Sequence, residues 1–282
     1  MTIDAGALRS EVDWVLDSGA DGVVVAMVSE ILRLATDELD DLGRVVCSHV
    51  DGRGPVVLSV GAESTHVALR LARGAEAAGA SALMAIPPLT VALGAEDTGA
   101  YFRALADATS VPLIIQDASG YVGDPLSLDL QADLLREYGA ERIQFKPEAI
   151  PIGPRLSMLR DATGGRGRIF EGSGGAALVD SYARGIAGTM PGPDLVWAIR
   201  ALWDALEAGD RERTRAINEA LSPLLALVTS LGSYVAFEKH FLVRQGVLPS
   251  ARVREPLGFA IDDETRRRLD ELFDRLSEVV RS

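Results

Sequence analysis

Short apolar runs alternate with longer amphipathic stretches through the first two thirds of this chain. The runs are "GVVVAMV" (22–28), "PVVLSV" (55–60), "ALMAIP" (82–87), "PLIIQD" (112–117), "RIQFK" (142–146), "RIFEG" (168–172) and "GIAGTM" (185–190). They are continuous rather than alternating in polarity, the pattern of parallel strands covered on both faces. Their starts lie roughly 17 to 33 residues apart, room for a strand, two loops and a crossover helix. The intervening segments carry helix signals: "TDELDDLGRVVCSHV" opens at Thr36, and "STHVALRLARGAEAAG" opens at Ser64 and stops at Gly79. This repetition predicts a parallel α/β fold, most economically a (β/α)₈ barrel.

After Pro191 the rhythm stops. Residues 194–246 and 264–280 read as helices, separated by the turn-rich "LPSARVREPLGF". The expected organisation is a barrel over 1–192 with a helical region, 193–282, packed on it as one structural unit, because no linker rich in Gly, Pro or Ser intervenes. One strand is missing from the count. Seven runs are visible where the barrel has eight, and the chain opens on a helical pattern, residues 4–18.

Composition narrows the function. A hydrophobic share of 48% in 282 residues supports a large core. The net charge of −13 disfavours a nucleic-acid or anionic-membrane surface, so neither is an expected partner. Cys47 is the sole cysteine, which rules out an intramolecular disulfide and a cysteine metal cluster. No run approaches the roughly 18 apolar residues of a membrane span, and the first residues are acidic where a secretory signal is basic. These features predict a soluble, cytoplasmic protein.

In such barrels the reactive groups stand at the C-terminal ends of the strands. His49, His66 and His240 fall in helical patterns away from that rim, without metal-ligand spacing, and no metal site is expected. No G-x-S-x-G elbow occurs. The glycines of "FEGSGGAAL" match neither phosphate-loop spacing and fit a tight strand-to-helix turn at least as well.

Lysine is the informative residue. Of 28 basic residues only Lys146 and Lys239 are lysines. Lys239, in "FEKHFL", reads as a surface residue beside Glu238. Lys146 follows "IQF" on a buried strand and starts inside the barrel mouth. An ammonium taken out of water gives up its proton more readily, and a neutral amine attacks a ketone to form a Schiff base. Arginine stays protonated and cannot do this. The plainer alternative is an ion pair with Glu148 or Glu171.

With these features placed, the chain resembles the dihydrodipicolinate synthase / N-acetylneuraminate lyase family. The similarity is carried by "SVGAESTHVALRLARGAEAAGASALMAIPP", by "FKPEA" and by "FEGSGGAALVDSYARGIAGTMPG". It implies a (β/α)₈ barrel acting on pyruvate or another 2-keto acid through an imine on Lys146, with no separate cofactor. It also implies a homodimer or homotetramer.

Four positions depart from the family pattern. The glycine–threonine–threonine–glycine–glutamate loop that binds the keto-acid carboxylate reads "AMVSE", which puts Met27 and Val28 at the threonines and leaves Ser29 and Glu30 as polar side chains. Gln116 stands where the proton-relaying tyrosine belongs, and an amide has no titrating proton. The tyrosine that a neighbouring subunit lends has no counterpart near Leu89 or Thr90. Tyr121 takes the position of an arginine and is a candidate for the missing phenol. The family also begins with a strand before its first helix, so a shortened start or an incompletely closed barrel is expected.

The leading expectation is therefore a Schiff-base lyase, aldolase or dehydratase acting on pyruvate or a 2-keto-3-deoxy sugar acid. Lys146 and Tyr121 would be catalytic, with Ser29, Gln116, Ser173 and Thr189 contacting substrate and Glu171 or a water sharing the proton traffic. A non-catalytic relative that binds a keto acid, having lost the tyrosine relay, is the main alternative. A phosphate-binding isomerase using "EGSGG" is a weaker third.

Overall fold

A computed structural model of the chain describes residues 3–282. Its strands are β1 (Val23–Val25), β2 (Val56–Ser59), β3 (Ala82–Ala85), β4 (Leu113–Asp117), β5 (Ile143–Pro147), β6 (Phe170–Glu171) and β7 (Gly188–Thr189). The helices preceding and joining them are α1 (Ala5–Asp17), α2 (Thr36–Val50), α3 (Thr65–Ala77), α4 (Ala95–Ala108), α5 (Leu128–Tyr138), α6 (Ile152–Ala162) and α7 (Leu178–Ala183). All seven apolar runs thus contain strands, although the last two shrink to two residues each. Strands β1 to β5 pair in order and in parallel, β6 pairs with β7, and a bridge from Phe145 to Ile169 joins the two sets. Among the described residues no ladder joins β7 back to β1. The pairing thus runs from β1 round to β7.

The pleat sorts side chains into two layers. Val23, Val25, Leu58, Leu83, Leu113, Ile115, Ile143 and Phe145 face outward and pack under helix residues such as Val46, Leu71, Phe102 and Leu134. Val57, Ala82, Met84 and Ile114 face inward, with Val24, Ala26 and Met190 against them. Because both faces are apolar, the inner polar groups stand out: Gln116, Gln144, Lys146, Glu148 and Glu171 are all buried.

Local signals fix the helix starts. Asp4 caps α1 by accepting from the Gly6 and Ala7 amides at 3.0 Å, and Ser64 caps α3 through Val67. Beyond β7 the chain is helical: α8 (Val196–Glu207), α9 (Arg211–Leu225), α10 (Leu231–Arg244) and α11 (Asp263–Arg281). These helices share a second core of Ile199, Leu202, Ile217, Leu221, Phe241, Leu269 and Phe273, which also takes Leu178 from α7. Trp14 on α1 donates to the Pro193 carbonyl at 3.0 Å, tying the first helix to the start of this region. Among the described residues no helix is long and apolar enough to cross a membrane.

Candidate active site

Strands β4 and β5 lie in register with Gln116 opposite Lys146. Both side chains point inward and sit at the strand ends, and Lys146 is only 6% exposed. Strand periodicity places residue 148 on the same face as residue 146. Pro147 between them ends the strand, and the Glu148 amide continues the ladder by donating to the Asp117 carbonyl at 2.8 Å. The result is a buried triad. Lys146 Nζ donates to Glu148 Oε1 at 2.7 Å, and Gln116 Nε2 donates to Glu148 Oε2 at 2.6 Å.

A buried ion pair rarely stabilises a fold, because the desolvation of two ions offsets their attraction. Keeping one here, where an apolar pair would pack as well, is more simply explained by chemistry than by stability. The backbone crowds the triad. A Cβ at Gly172 would lie 2.9 Å from Lys146 Nζ and 2.6 Å from Glu148 Cγ, so a larger residue after β6 would displace the paired side chains.

Glu171 is the neighbouring carboxylate, fully buried at the end of β6. Its Oε1 accepts from the Ser173 amide at 2.6 Å and from the Ser173 hydroxyl, and its Oε2 accepts from the Thr189 hydroxyl at 2.7 Å. Ser173 and Thr189, expected on substrate, are thus engaged with Glu171. Ser173 also accepts from the Ala177 amide at 2.8 Å, and Gly174 and Gly175 adopt φ of +68° and +101°. The "EGSGG" segment is a tight turn into α7.

Tyr121 rides on the loop after β4. Asp117 closes that loop by accepting from the Ser119 hydroxyl at 2.6 Å and the Leu126 amide at 3.1 Å. The phenol packs with Met27, Ile86, Ala118 and Leu231 across the mouth. Burial, together with the negative charges of Glu148 and Glu171, pushes its pKa well above that of a free tyrosine. It therefore stays protonated at neutral pH, as a group able to donate a hydrogen bond. Met27 fills with hydrocarbon the place where the family pattern has a threonine.

Ser29 lies elsewhere. With Glu11, Glu30, Glu238 and Lys239 it lines a cavity of about 600 Å³ between α1, the turn after β1 and α10. Lys239 is not the surface residue its sequence context implies. It bonds to Glu30 and donates to the Arg252 carbonyl at 2.7 Å, and its side chain is only 17% exposed. Helix α10 packs on the turn after β1, which supplies the partner that a local reading of "FEKHFL" does not show.

The structure thus brings Lys146, Gln116 and, at the mouth, Tyr121 together, with Ser173 and Thr189 beside them through Glu171; it sets Ser29 in the other cavity. Glu148 is the residue whose functional weight the sequence understates. Its signal was present, since a carboxylate two positions after the lysine on a strand must share its face. The histidines stay outside: His49 pairs with Asp13 and His240 with Asp270, each at 2.9 Å. Among the described residues no group of His, Cys, Asp and Glu is arranged to hold a metal ion.

Comparison with known proteins agrees with this geometry. Residues 1–275 match the Dihydrodipicolinate synthetase family. The chain is 28% identical over 286 residues to an L-2-keto-3-deoxyarabonate dehydratase of Azospirillum brasilense, covering 99% of this chain and 90% of that protein. It is 29% identical over 251 residues to a 4-hydroxy-tetrahydrodipicolinate synthase of Pelodictyon phaeoclathratiforme, covering 88% and 83%. In fold it is similar to the dihydrodipicolinate synthase of Rhodopseudomonas palustris, with a TM-score of 0.87 at 24% identity over 97% of this chain and 92% of that one. A family member from Escherichia coli K12, solved in complex with pyruvate, gives a TM-score of 0.87 at 20% identity over 98% and 93%. With a barrel of this topology and a buried lysine at the end of its fifth visible strand, the chain belongs to the dihydrodipicolinate synthetase family.

Proposed function

We propose that the protein is a Schiff-base lyase that dehydrates or cleaves a small 2-keto acid, a 2-keto-3-deoxy sugar acid being the favoured class. One observation carries the reading: Lys146, which arginine would replace if charge alone were needed, is buried in the barrel mouth at 2.7 Å from a carboxylate that can take its proton. The freed amine adds to the C2 carbonyl, and loss of water leaves an iminium. The iminium withdraws electrons, so a C3 proton is released, or the C3–C4 bond breaks, to give an enamine on the nitrogen. A hydroxyl at C4 then departs, with the protonated phenol of Tyr121 as its hydrogen-bond donor.

Two features favour dehydration over condensation with a second substrate. The position of the relay tyrosine holds an amide, and the arginine that meets a second substrate's carboxylate in the family pattern is replaced by Tyr121, which packs against the apolar cluster of Met27, Ile86 and Ala118. The relative that matches 99% of this chain is itself named a 2-keto-3-deoxy sugar-acid dehydratase. Gln116 orients the carboxylate of Glu148, while Ser173 and Thr189 hold that of Glu171.

The test is borohydride reduction in the presence of pyruvate or 2-keto-3-deoxyarabonate, followed by peptide mass analysis. A reduced adduct on Lys146 and release of water from the sugar acid are expected. No adduct with either compound would remove the reading. An adduct without turnover would instead assign a binding role.

A further inference from the structure

We propose that Glu148 is the single proton carrier of the reaction, taking over every transfer for which the family pattern supplies a tyrosine. The proposal rests on the Schiff-base reading above and goes beyond it by naming the acid and base.

Three observations converge. Glu148 touches the reacting nitrogen, with Oε1 2.7 Å from Lys146 Nζ. Its other oxygen is held at 2.6 Å by Gln116 Nε2, the residue at the relay position, so the amide works as a positioning residue for a carboxylate. Gly172 leaves just the room the pair occupies, since a Cβ there would come 2.9 Å from Nζ and 2.6 Å from Cγ.

The contrast with Glu171 identifies which acid moves protons. Glu171 receives three donors, from the Ser173 amide and hydroxyl and the Thr189 hydroxyl, and these engage both of its oxygens. Glu148 receives two, and one of them is the amine whose proton must leave. When that proton crosses, the ion pair becomes a neutral amine beside a neutral acid, which removes both charges from a site with almost no water. Glu148 is only 3% exposed, so bulk solvent does not compete for the transfer.

The steps balance as follows. The carboxylate takes one proton from the Lys146 ammonium, and the nitrogen lone pair forms the bond to C2 while the carbonyl π pair moves to oxygen. The Glu148 acid gives its proton to that oxygen and takes one from the nitrogen, which gives the carbinolamine. The Glu148 acid then protonates the hydroxyl, the C–O bond breaks, water leaves and the iminium forms. Glu148, again a carboxylate, takes the C3 proton, and the C–H pair becomes the C2–C3 double bond of the enamine. Return of that electron pair makes the C3–C4 double bond as the C4 hydroxyl leaves with the same proton, as water. No oxidant, reductant or metal enters the balance. One carboxylate, alternately base and acid, suffices because every transfer occurs close to C2–C4.

The experiment follows exchange of the C3 protons in D₂O by NMR, using whichever of pyruvate and 2-keto-3-deoxyarabonate is trapped on the parent protein. Glu148→Gln keeps the size of the side chain and its hydrogen bond to Lys146. The expected result is that E148Q, after long incubation, still gives the borohydride adduct on Lys146, while its exchange rate falls at least about 100-fold. Glu148→Asp, which retracts the carboxylate by one methylene, should fall between the two, and it decides the matter if E148Q does not fold. Exchange within threefold of the parent in the folded variant would overturn the assignment while leaving the Schiff base intact. Absence of any adduct on the parent protein would overturn both, so the two failures are distinguishable.

Discussion

The two lysines of this chain sit in comparable surroundings and do different work. Each is largely covered, each pairs with a glutamate, and each lies near further acids. Lys239 is a clamp: it joins Glu30 on the turn after β1 to the Arg252 carbonyl, and Glu30 also accepts from the Arg254 amide at 2.7 Å. Its donors are spent on fixed acceptors from two other segments of chain, the turn after β1 and the loop around Arg252. Lys146 makes one bond, to Glu148, and that partner is in turn held only by Gln116. A lysine surrounded by fixed acceptors is structural, whereas the lysine beside one exchangeable carboxylate is the one we propose as the nucleophile. Burial does not separate the two; the number and kind of acceptors does.

Exchanging lysine for arginine tests this contrast most strongly. Lys146→Arg preserves a cation beside Glu148 and removes the nucleophile, so turnover should fall at least about 1,000-fold with no borohydride adduct. Lys239→Arg preserves the clamp and should leave turnover within about twofold. Measurable activity in K146R would break the comparison.

The next effect concerns stability. Lys239→Met leaves Glu30 with Arg33 at 3.8 Å as its remaining cation at a covered site, and a loss of roughly 1–3 kcal/mol is expected from urea unfolding. Turnover of the folded fraction should persist. Thr189→Val removes one of the three donors to Glu171 and should cost roughly 1–3 kcal/mol in the same measurement. Tyr121→Phe removes one donor from the mouth, and a five- to tenfold fall in kcat, roughly the worth of one hydrogen bond, is expected from steady-state assays.

The smallest effect is on pH dependence, and it belongs to the Lys239 side. Burial raises the Glu11 carboxyl from 4.5 to about 7, with Lys239 opposing and the charges of Asp194 and Glu30 reinforcing the shift. Burial raises Asp194 to about 7 as well. A carboxyl whose folded pKa is raised holds a proton that the unfolded chain has already released. Stability therefore declines as pH climbs from about 4.5 to about 7 and levels off above that. Glu11→Gln removes one such group, so melting temperatures measured between pH 5 and pH 8 should fall less steeply than in the parent protein. An unchanged slope would show that Asp194 and Glu238 carry the dependence.

Much of the barrel was legible because its strands are buried on both faces. "PLIIQD" and "RIQFK" announce themselves as apolar runs, and β4 and β5 occupy them nearly end to end. "RIFEG" and "GIAGTM" were also visible as strands, but their ladders are only two residues long. Those lengths depend on the pairing of β6 with β7 and its bridge to β5, which local sequence does not encode. The lysine stood out through chemistry, since a chain that otherwise uses arginine had placed a titratable amine on a buried strand. Ser173 and Thr189 were legible as polar groups near the site, but not that both bond to Glu171. That depends on how β6, β7 and the glycine turn converge, and no spacing along the chain reports it.

The sequence by itself determined the parallel barrel, the helical region that follows, and Lys146 as the reactive candidate. Periodicity and residue chemistry are local properties, and the first two conclusions needed nothing else, while Lys146 needed the family resemblance beside its chemistry. Only the tertiary structure decided which carboxylate meets the amine, that Gln116 grips it from the next strand, and that Ser29 and Lys239 belong to a different cavity. Those facts depend on strand register and on the packing of α10 against the turn after β1. Both are contacts between segments far apart in the chain, and they form only when the whole core closes.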